Sequence, residues 1–274
     1  MTATSPARQP RPGRLADASQ LARRYLPAAS VFMAGLVLWQ VYFSGGGFFR
    51  PVPTPTEIAE ATVAEWDLLS SAALATIYEA LGGLAIGTTA GLVVGFMTAR
   101  WAIARDVLLP LAIGASTIPI IAIAPILNNW FGLLNPLSKM MMAALLVFFP
   151  VFISVTRGLV EVSPGHVELM RSYAAGEGLI LRKVRVPNML PFFFTALKVG
   201  TTLAFIGAIV GEFFGGTERV LGRVVLQAIS GGRFDEAWSA IIIGAIAAII
   251  SYLVVTLVER FVIPWYGQLH AEPG

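Results

Sequence analysis

The residues that most often carry chemistry are scarce and scattered in this sequence. There is no cysteine, and the two histidines, His166 and His270, lie far apart in the chain. Because zinc and di-iron centres are built from clusters of such residues, we assign no metal ligand and no catalytic residue. A G-x-x-x-x-G-K-[ST] phosphate loop is also missing. We therefore expect no cofactor on this chain, and any ATP and Mg²⁺ that power it must bind to another chain.

Two carboxylates stand inside long apolar segments, where an ionised group is costly and is a functional candidate by default. Glu212 lies next to Gly211 and close to Gly215, which suggests a turn with water nearby. It either takes part in a solute pathway or gate, or makes a hydrogen bond at a helix end. Glu79 contributes to a pathway, extends its side chain toward the membrane surface, or pairs with Lys198.

Two amides, Asn128 and Asn129, end the third apolar segment beside Trp130. A Trp at such a position is typically an anchor at the membrane interface. The two amides are further candidates for lining a solute pathway.

The elements that must position these residues are membrane-spanning helices. The chain is 56% hydrophobic and 13% charged, whereas soluble domains carry about 25% charged residues. Six apolar segments are long enough to approach a hydrocarbon core of about 30 Å. They lie near 27–44, 72–97, 106–127, 138–157, 191–214 and 238–263. The third contains Pro110, Pro119 and Pro125 and should be kinked or broken. The sequence predicts an all-α integral membrane protein with about six transmembrane helices.

The basic residues indicate the orientation of these helices. With the N-terminus inside, thirteen Lys and Arg fall on the cytoplasmic side and five outside. The five are Arg50, Lys139, Arg219, Arg223 and Arg233. The positive-inside rule therefore favours both termini in the cytoplasm. The basic balance of the chain is explained by this topology, so no nucleic-acid partner is expected.

The segments between and beyond the spans have distinct compositions. Residues 1–24 are rich in Pro, Ser and Arg and predict a disordered cytoplasmic tail. Residues 25–265 form the transmembrane domain, and 266–274 a C-terminal tail. The first outer loop predicts a short interfacial helix around Glu57–Glu65, and the last predicts a re-entrant or surface segment over 221–229. Glycines at near-helical spacing in the second span, from Gly82 to Gly95, predict close helix packing.

The longest cytoplasmic connection, 157–190, carries a pattern of its own. Ser163 and Pro164 predict a helix start, with the helix over His166–Ala175. A second short helix, Leu179–Val186, is expected to end at Pro187. Leu169, Met170 and Tyr173 form an apolar edge among basic residues, which a partner groove could accept. On these residues alone, a solvated basic loop contacting lipid headgroups is an equal alternative.

The same connection resembles the EAA loop of binding-protein-dependent ABC importer permeases. Glu168 and Pro187 have that loop's nineteen-residue separation, and Gly176 follows the first helix. Leu169 and Met170 replace the two alanines of the pattern, and Ala174 replaces its glycine. Other segments resemble the nitrate/sulfonate/taurine branch of these permeases. With them, the resemblance to the family covers residues 50–265. They are Pro53-Thr54-Pro55-Thr56-Glu57, Ile118–Pro125 with Trp130-Phe131-Gly132, Thr195–Val199 and Gly211-Glu212-Phe213.

The resemblance implies a specific architecture and set of partners. The fold would be that of a type I ABC importer permease in the bacterial plasma (inner) membrane, with an identical second permease copy completing the pathway. An ABC ATPase dimer would hold ATP and Mg²⁺, and an extracytoplasmic solute-binding protein would deliver a small organic solute. The subgroup that the chain most resembles takes up thiamine-precursor pyrimidines or riboflavin, and sulfonates are the other option. The ATPase-coupling residues would be Glu168, Leu169, Met170, Arg171, Tyr173, Ala174, Gly176 and Pro187.

Two functions from other classes compete with this interpretation. A stand-alone, ion-coupled secondary transporter would suit broken helices and membrane acids, but it gives no reason for the 157–190 pattern. A membrane-embedded enzyme is disfavoured by the shortage of His, Cys and clustered acids.

Overall fold

A computed structural model describes residues 14–44 and 52–265, with side chains from residue 26 onward in the first range. Every regular element in the described chain is helical. The helices are α1 (Arg14–Ser44), α2 (Pro55–Ala64), α3 (Trp66–Arg100), α4 (Ala102–Ala115), α5 (Ile120–Phe131), α6 (Pro136–Val160), α7 (Pro164–Ser172), α8 (Glu177–Ile180), α9 (Val186–Phe214), α10 (Leu221–Ser230) and α11 (Phe234–Val262). The structure confirms an all-α protein with five helices long and apolar enough to span a membrane, or six if one bent pair counts as a span.

The chain forms two compact units, residues 1–59 and 60–274. In the first, α1 contains the apolar stretch Leu26–Ser44. The predicted tail over 1–24 is helical from Arg14 onward, and its first part, 1–13, lies outside the described residues, as does the 266–274 tail.

The predicted short helix after the first span is α2, and its start follows from the sequence Thr54-Pro55-Thr56-Glu57. The Thr54 amide donates to the Glu57 carboxylate at 2.7 Å, and the Glu57 amide donates to the Thr54 hydroxyl at 3.3 Å. This reciprocal pair is a capping box, which satisfies two amides that a helix start leaves free.

The core of the second unit lies where α3, α6 and α9 pack together. The predicted close packing of the glycine stripe is confirmed, because the stripe of α3 faces α6. A methyl group at Gly83 would lie 2.6 Å from the carbonyl oxygen of Met140, and one at Gly87 would lie 2.5 Å from that of Ala144. Only a hydrogen at these positions lets the two backbones approach this closely.

The third apolar segment is broken, as its prolines predict. α4 and α5 meet at an angle of 96° across a short break that ends with Pro119. Pro110 and Pro125 lie inside α4 and α5 and do not end either helix.

The predicted end of a helix at Pro187 is wrong. The chain is continuously helical from Glu177 to Phe214, and Pro187 lies in the first turn of α9. A π-helical turn, Leu181–Arg185, precedes it, and the Val186 amide donates to the Leu181 carbonyl. Proline removes one α-helical hydrogen bond and crowds the preceding turn, and the wider π turn gives that turn room.

The segment predicted over 221–229 is α10, a short amphipathic helix. Its buried face contains Leu221, Val224 and Val225, which pack with Leu69 of α3 and Ala240 of α11. α10 therefore covers one end of the bundle, the end where α3 and α6 begin and α9 finishes. We call this the α10 end.

Candidate functional site

Helix α7 carries four of the eight residues predicted to couple to an ATPase, and most of its side chains are exposed. Within the described structure it buries none of its nine residues. Leu169 is 54% exposed and Tyr173, which ends the helix, is 77% exposed. Short isolated helices are marginally stable in water and normally gain stability by packing an apolar face. Val167 and Met170 are half-buried, whereas Leu169 and Tyr173 remain open to solvent.

The end of α7 explains why the EAA pattern has a glycine where this chain has Ala174. The Ala174 amide donates to the carbonyl of Arg171, and the Ala175 amide donates to that of Met170. This is a Schellman motif, whose turning residue must adopt the left-handed conformation. Ala174 has φ +55, the one positive φ at a non-glycine residue in the described chain. The substitution therefore keeps the turn but introduces backbone strain.

Other contacts hold this connection to the bundle. Arg171 and Glu177 form an exposed ion pair at 2.9 Å, which joins α7 to α8. The Asn188 side chain donates to the carbonyls of Gly158 at 2.8 Å and Glu161 at 3.2 Å, so it caps the end of α6 from α9. Sequence reasoning missed Asn188, although a lone amide beside Pro187 at the start of an apolar run was a usable signal. Residues 161–176 connect α6 to the continuous helix that begins at Glu177, and they contain α7.

At the α10 end, Glu79, Lys139 and Glu212 form a buried cluster of charged side chains with exposures of 4%, 0% and 0%. The Lys139 amine donates to the carbonyls of Leu133 and Asn135 at the start of α6. It also attracts both carboxylates, and the two carboxyl groups adjoin each other. Glu79 Oε2 and Glu212 Oε1 have no hydrogen-bond partner, so the polar groups of this cluster are only partly satisfied.

The buried charged cluster is tied to the first turn of α10. The Gly222 amide donates to Glu212 Oε2 at 2.6 Å, and the Leu221 amide donates to the Thr76 hydroxyl at 3.0 Å. The first amides of a helix have no partner within the helix, and they carry the positive end of its dipole. A carboxylate and a hydroxyl from two other helices therefore fix the position of α10.

Two expectations about charges need correction. Lys139, counted as an outer-loop residue, is fully buried because its long side chain turns inward to the carbonyls and acids. The pairing of Glu79 with Lys198 is wrong, since Lys198 pairs with Glu259 at 2.8 Å. Glu79 lies level with Glu212, and Lys198 is about 21 Å away from Glu212 along α9.

Asn128 and Asn129, the other predicted pathway residues, line a cavity of about 490 Å³ beside Phe214. Asn128 is 6% exposed, and neither its amide nitrogen nor its amide oxygen has a partner. The structure thus separates the four predicted pathway residues into two groups. The carboxylates belong to the buried charged cluster, and the amides line the cavity.

Residues 87–268 match the family described as binding-protein-dependent transport system inner membrane component. The riboflavin transport system permease protein of Chloroflexus aurantiacus is 30% identical over 84% of this chain and 86% of its own length. The formylaminopyrimidine transport permease protein of Halalkalibacterium halodurans is 29% identical over 85% of this chain and 93% of its own length. The taurine transport system permease protein of Escherichia coli is 25% identical over 78% of this chain and 75% of its own length.

The fold has a counterpart among solved structures. A chain of a bacterial ABC transporter that imports the acidic polysaccharide alginate superposes with a TM-score of 0.55, covering 89% of this chain and 98% of that chain at 13% identity. This likeness supports the fold alone. The family match favours the importer permease over the stand-alone secondary transporter. The chain belongs to the binding-protein-dependent ABC importer permeases, as a multi-pass permease subunit of the inner membrane.

Proposed function

We propose that this permease receives its driving force through α7, which docks into a groove of a separate ABC ATPase. The observation that supports this proposal is the exposure of α7, where Leu169 and Tyr173 present large apolar side chains to solvent. Helix-in-groove recognition uses such an edge. In this proposal the ATPase pair binds ATP and Mg²⁺, and both permease termini lie on the ATPase side.

The rest of the assembly follows the family pattern. Two copies of this chain form the pathway at their interface, and an extracytoplasmic binding protein delivers the solute. ATP-driven closure of the ATPases moves the α7 helices, and the permease switches between two packings. The solute is a small organic molecule, of the kind that the riboflavin, formylaminopyrimidine or taurine permeases are named for.

We further propose that the buried charged cluster belongs to a gate at the α10 end. Glu79 and Glu212 then act by holding α10 in place rather than by contacting solute. Thr76 and the Gly222 amide complete this attachment. Opening the pathway outward would require α10 to move with α9 or to detach from it.

Co-purification with the ATPase tests the docking proposal. The tagged permease is co-expressed with its cognate ATPase, and the amount of ATPase recovered is measured for wild type, Glu168→Ala and Tyr173→Ala. Both variants should recover much less ATPase, because they change the exposed surface of α7. Tyr78→Ala is the matched control, since Tyr78 is also exposed (64%) but lies on α3. Full recovery with both α7 variants would refute docking through this helix.

A further inference from the structure

Two oxygen atoms of the buried charged cluster have no hydrogen-bond donor. They are Oε2 of Glu79 and Oε1 of Glu212, and both are inaccessible to solvent. The two carboxyl groups lie within hydrogen-bonding reach of each other. An ionised carboxylate only accepts hydrogen bonds, whereas a protonated carboxyl group also donates one. A single proton held between the two groups would therefore supply the donor that this pair of acids lacks.

The surroundings of the two acids indicate which one carries that proton. Glu212 accepts a hydrogen bond from the Gly222 amide, at the positive end of the α10 dipole, and the Thr76 hydroxyl adjoins it. A backbone amide at a helix start binds the ionised form of a carboxyl group more strongly than the neutral form. The hydrogen-bonding neighbour of Glu79 is Glu212 itself. Glu79 is therefore the neutral acid and Glu212 the ionised one.

The charges of the cluster lead to the same assignment. Lys139 is the cation that attracts both acids, and its amine also donates to two backbone carbonyls. With both acids ionised, the cluster would contain one uncompensated negative charge away from water, which is costly. With Glu79 neutral, the charges of Lys139 and Glu212 balance.

The other charged groups at the α10 end leave this balance unchanged. On α10, Arg223 lies near Lys139, but its Nε has no hydrogen-bond partner and so does not donate to either acid. The groups that act most strongly on the two carboxyl groups do not include Arg223. On α11, Glu236 pairs with Arg233.

We propose that Glu79 and Glu212 form a proton-binding site, in which neutral Glu79 donates to ionised Glu212, and that the bound proton holds α10 in place. Loss of the proton to solvent leaves two like charges side by side. The two groups then separate or take up water, and Glu212 is also the acceptor that fixes the Gly222 amide. α10 is loosened as a result. The control of α10 rests on the proposed gate, whereas the proton itself does not.

Infrared spectroscopy of the full-length permease in lipid nanodiscs detects the proton directly. A protonated carboxyl group has a C=O band that ionised carboxylates lack, and exposed acids are ionised at neutral pH. The difference spectrum between wild type and Glu79→Gln should contain this band. The difference spectrum for Glu259→Gln should not, because Glu259 is paired with Lys198. A Glu79→Gln difference spectrum without the band would overturn the proton-binding site.

Thermal unfolding shows which acid holds the proton. Glu79→Gln keeps an N–H donor beside Glu212, so its unfolding midpoint should stay close to that of wild type, and Glu79→Leu should unfold at a lower temperature. Glu212→Gln should also lower the midpoint, because it removes the charge that balances Lys139 and accepts from Gly222. A tolerated Glu212→Gln together with a damaging Glu79→Gln would refute the assignment of the proton to Glu79.

Single cysteines test the hold on α10, since the chain has no cysteine of its own. Val225→Cys places a thiol on the buried face of α10, and Gln227→Cys places one on its exposed face. Both are labelled with a membrane-impermeant thiol reagent, and the ratio of the two rates corrects for the effect of pH on thiol reactivity. The ratio of buried to exposed labelling should rise with pH in wild type and stay constant in the Glu79→Gln background.

The labelling result separates the proton from the gate. A ratio that rises equally in both backgrounds would show that α10 moves, as the gate requires, but without control by this proton. A ratio that stays constant in both would contradict the control of α10 and the gate together. In either case the infrared band still decides whether the proton-binding site exists.

Discussion

Glu212 of α9 accepts a 2.6 Å hydrogen bond from the Gly222 amide, inside the protein and at the first turn of α10. The two residues are close enough that a methyl group at Gly222 would lie 2.7 Å from Glu212 Cβ. The same turn is held by Thr76 of α3. α10 is therefore attached at one point to two different spans, and a relative movement of those spans must strain or release it.

Replacing Thr76 by valine, whose side chain has nearly the same shape, should weaken the attachment of α10 to α3. The buried Leu221 amide would lose its acceptor, at a cost of about 1–3 kcal/mol. We expect a lower thermal unfolding midpoint and faster hydrogen exchange at Leu221. Thr156→Val is the control, because the buried Thr156 hydroxyl donates only to Phe152 of its own helix. Equal effects of the two substitutions would contradict the attachment.

Replacing Lys139 by methionine should be among the most damaging single changes at the α10 end. It removes the cation nearest to two adjoining buried carboxyl groups and leaves the Leu133 and Asn135 carbonyls without their donor, at a cost of about 1–3 kcal/mol. Adding Glu212→Gln should restore part of the loss, since it removes one of the two buried carboxyl groups. Unfolding of both single variants and the double variant gives the coupling energy. Strict additivity would show that Lys139 and Glu212 do not interact.

Replacing Ala174 by glycine should stabilise the end of α7. An L-residue in the left-handed conformation costs about 1–2 kcal/mol, which glycine avoids at the expense of some chain entropy. We expect a net gain of about 1 kcal/mol, measured as slower hydrogen exchange at residues 174 and 175. Ala175→Gly, at a residue without a positive φ, should have the opposite effect. Faster exchange in Ala174→Gly would refute the assigned backbone conformation.

Replacing Gly83 by alanine should push α3 away from α6. The added methyl would meet the Met140 carbonyl oxygen, a backbone atom that cannot rotate away. We expect a loss of about 1–3 kcal/mol in the free energy of unfolding, as in other overpacked cores. Gly114→Ala should cause no loss, because no atom lies within 4 Å of a methyl group there. The readout is thermal unfolding in one detergent for all variants.

Sequence patterns predicted the features that depend on local chemistry. The apolar segments, the short helix after the first span, the glycine stripe and the proline break all follow from residue type and spacing. The pairing of the buried charged residues could not be predicted from residue type and spacing. Glu79 and Lys198 are compatible in charge, but only the packing of antiparallel helices determines which residues lie at the same depth. The helix end predicted at Pro187 was wrong for a related reason. A π turn accommodates this proline, and the types of the residues in that turn do not indicate it.

The continuous helix from Glu177 to Phe214 has a mechanical consequence. It contains 38 residues and is about 57 Å long, and it begins just after α7 and ends just after Glu212. A stiff rod of that length amplifies rotation, so tilting it by about 5° displaces one end by about 5 Å relative to the other, about one helical turn. A few degrees of tilt imposed beside α7 would therefore move Glu212 further than its hydrogen bond to Gly222 can stretch.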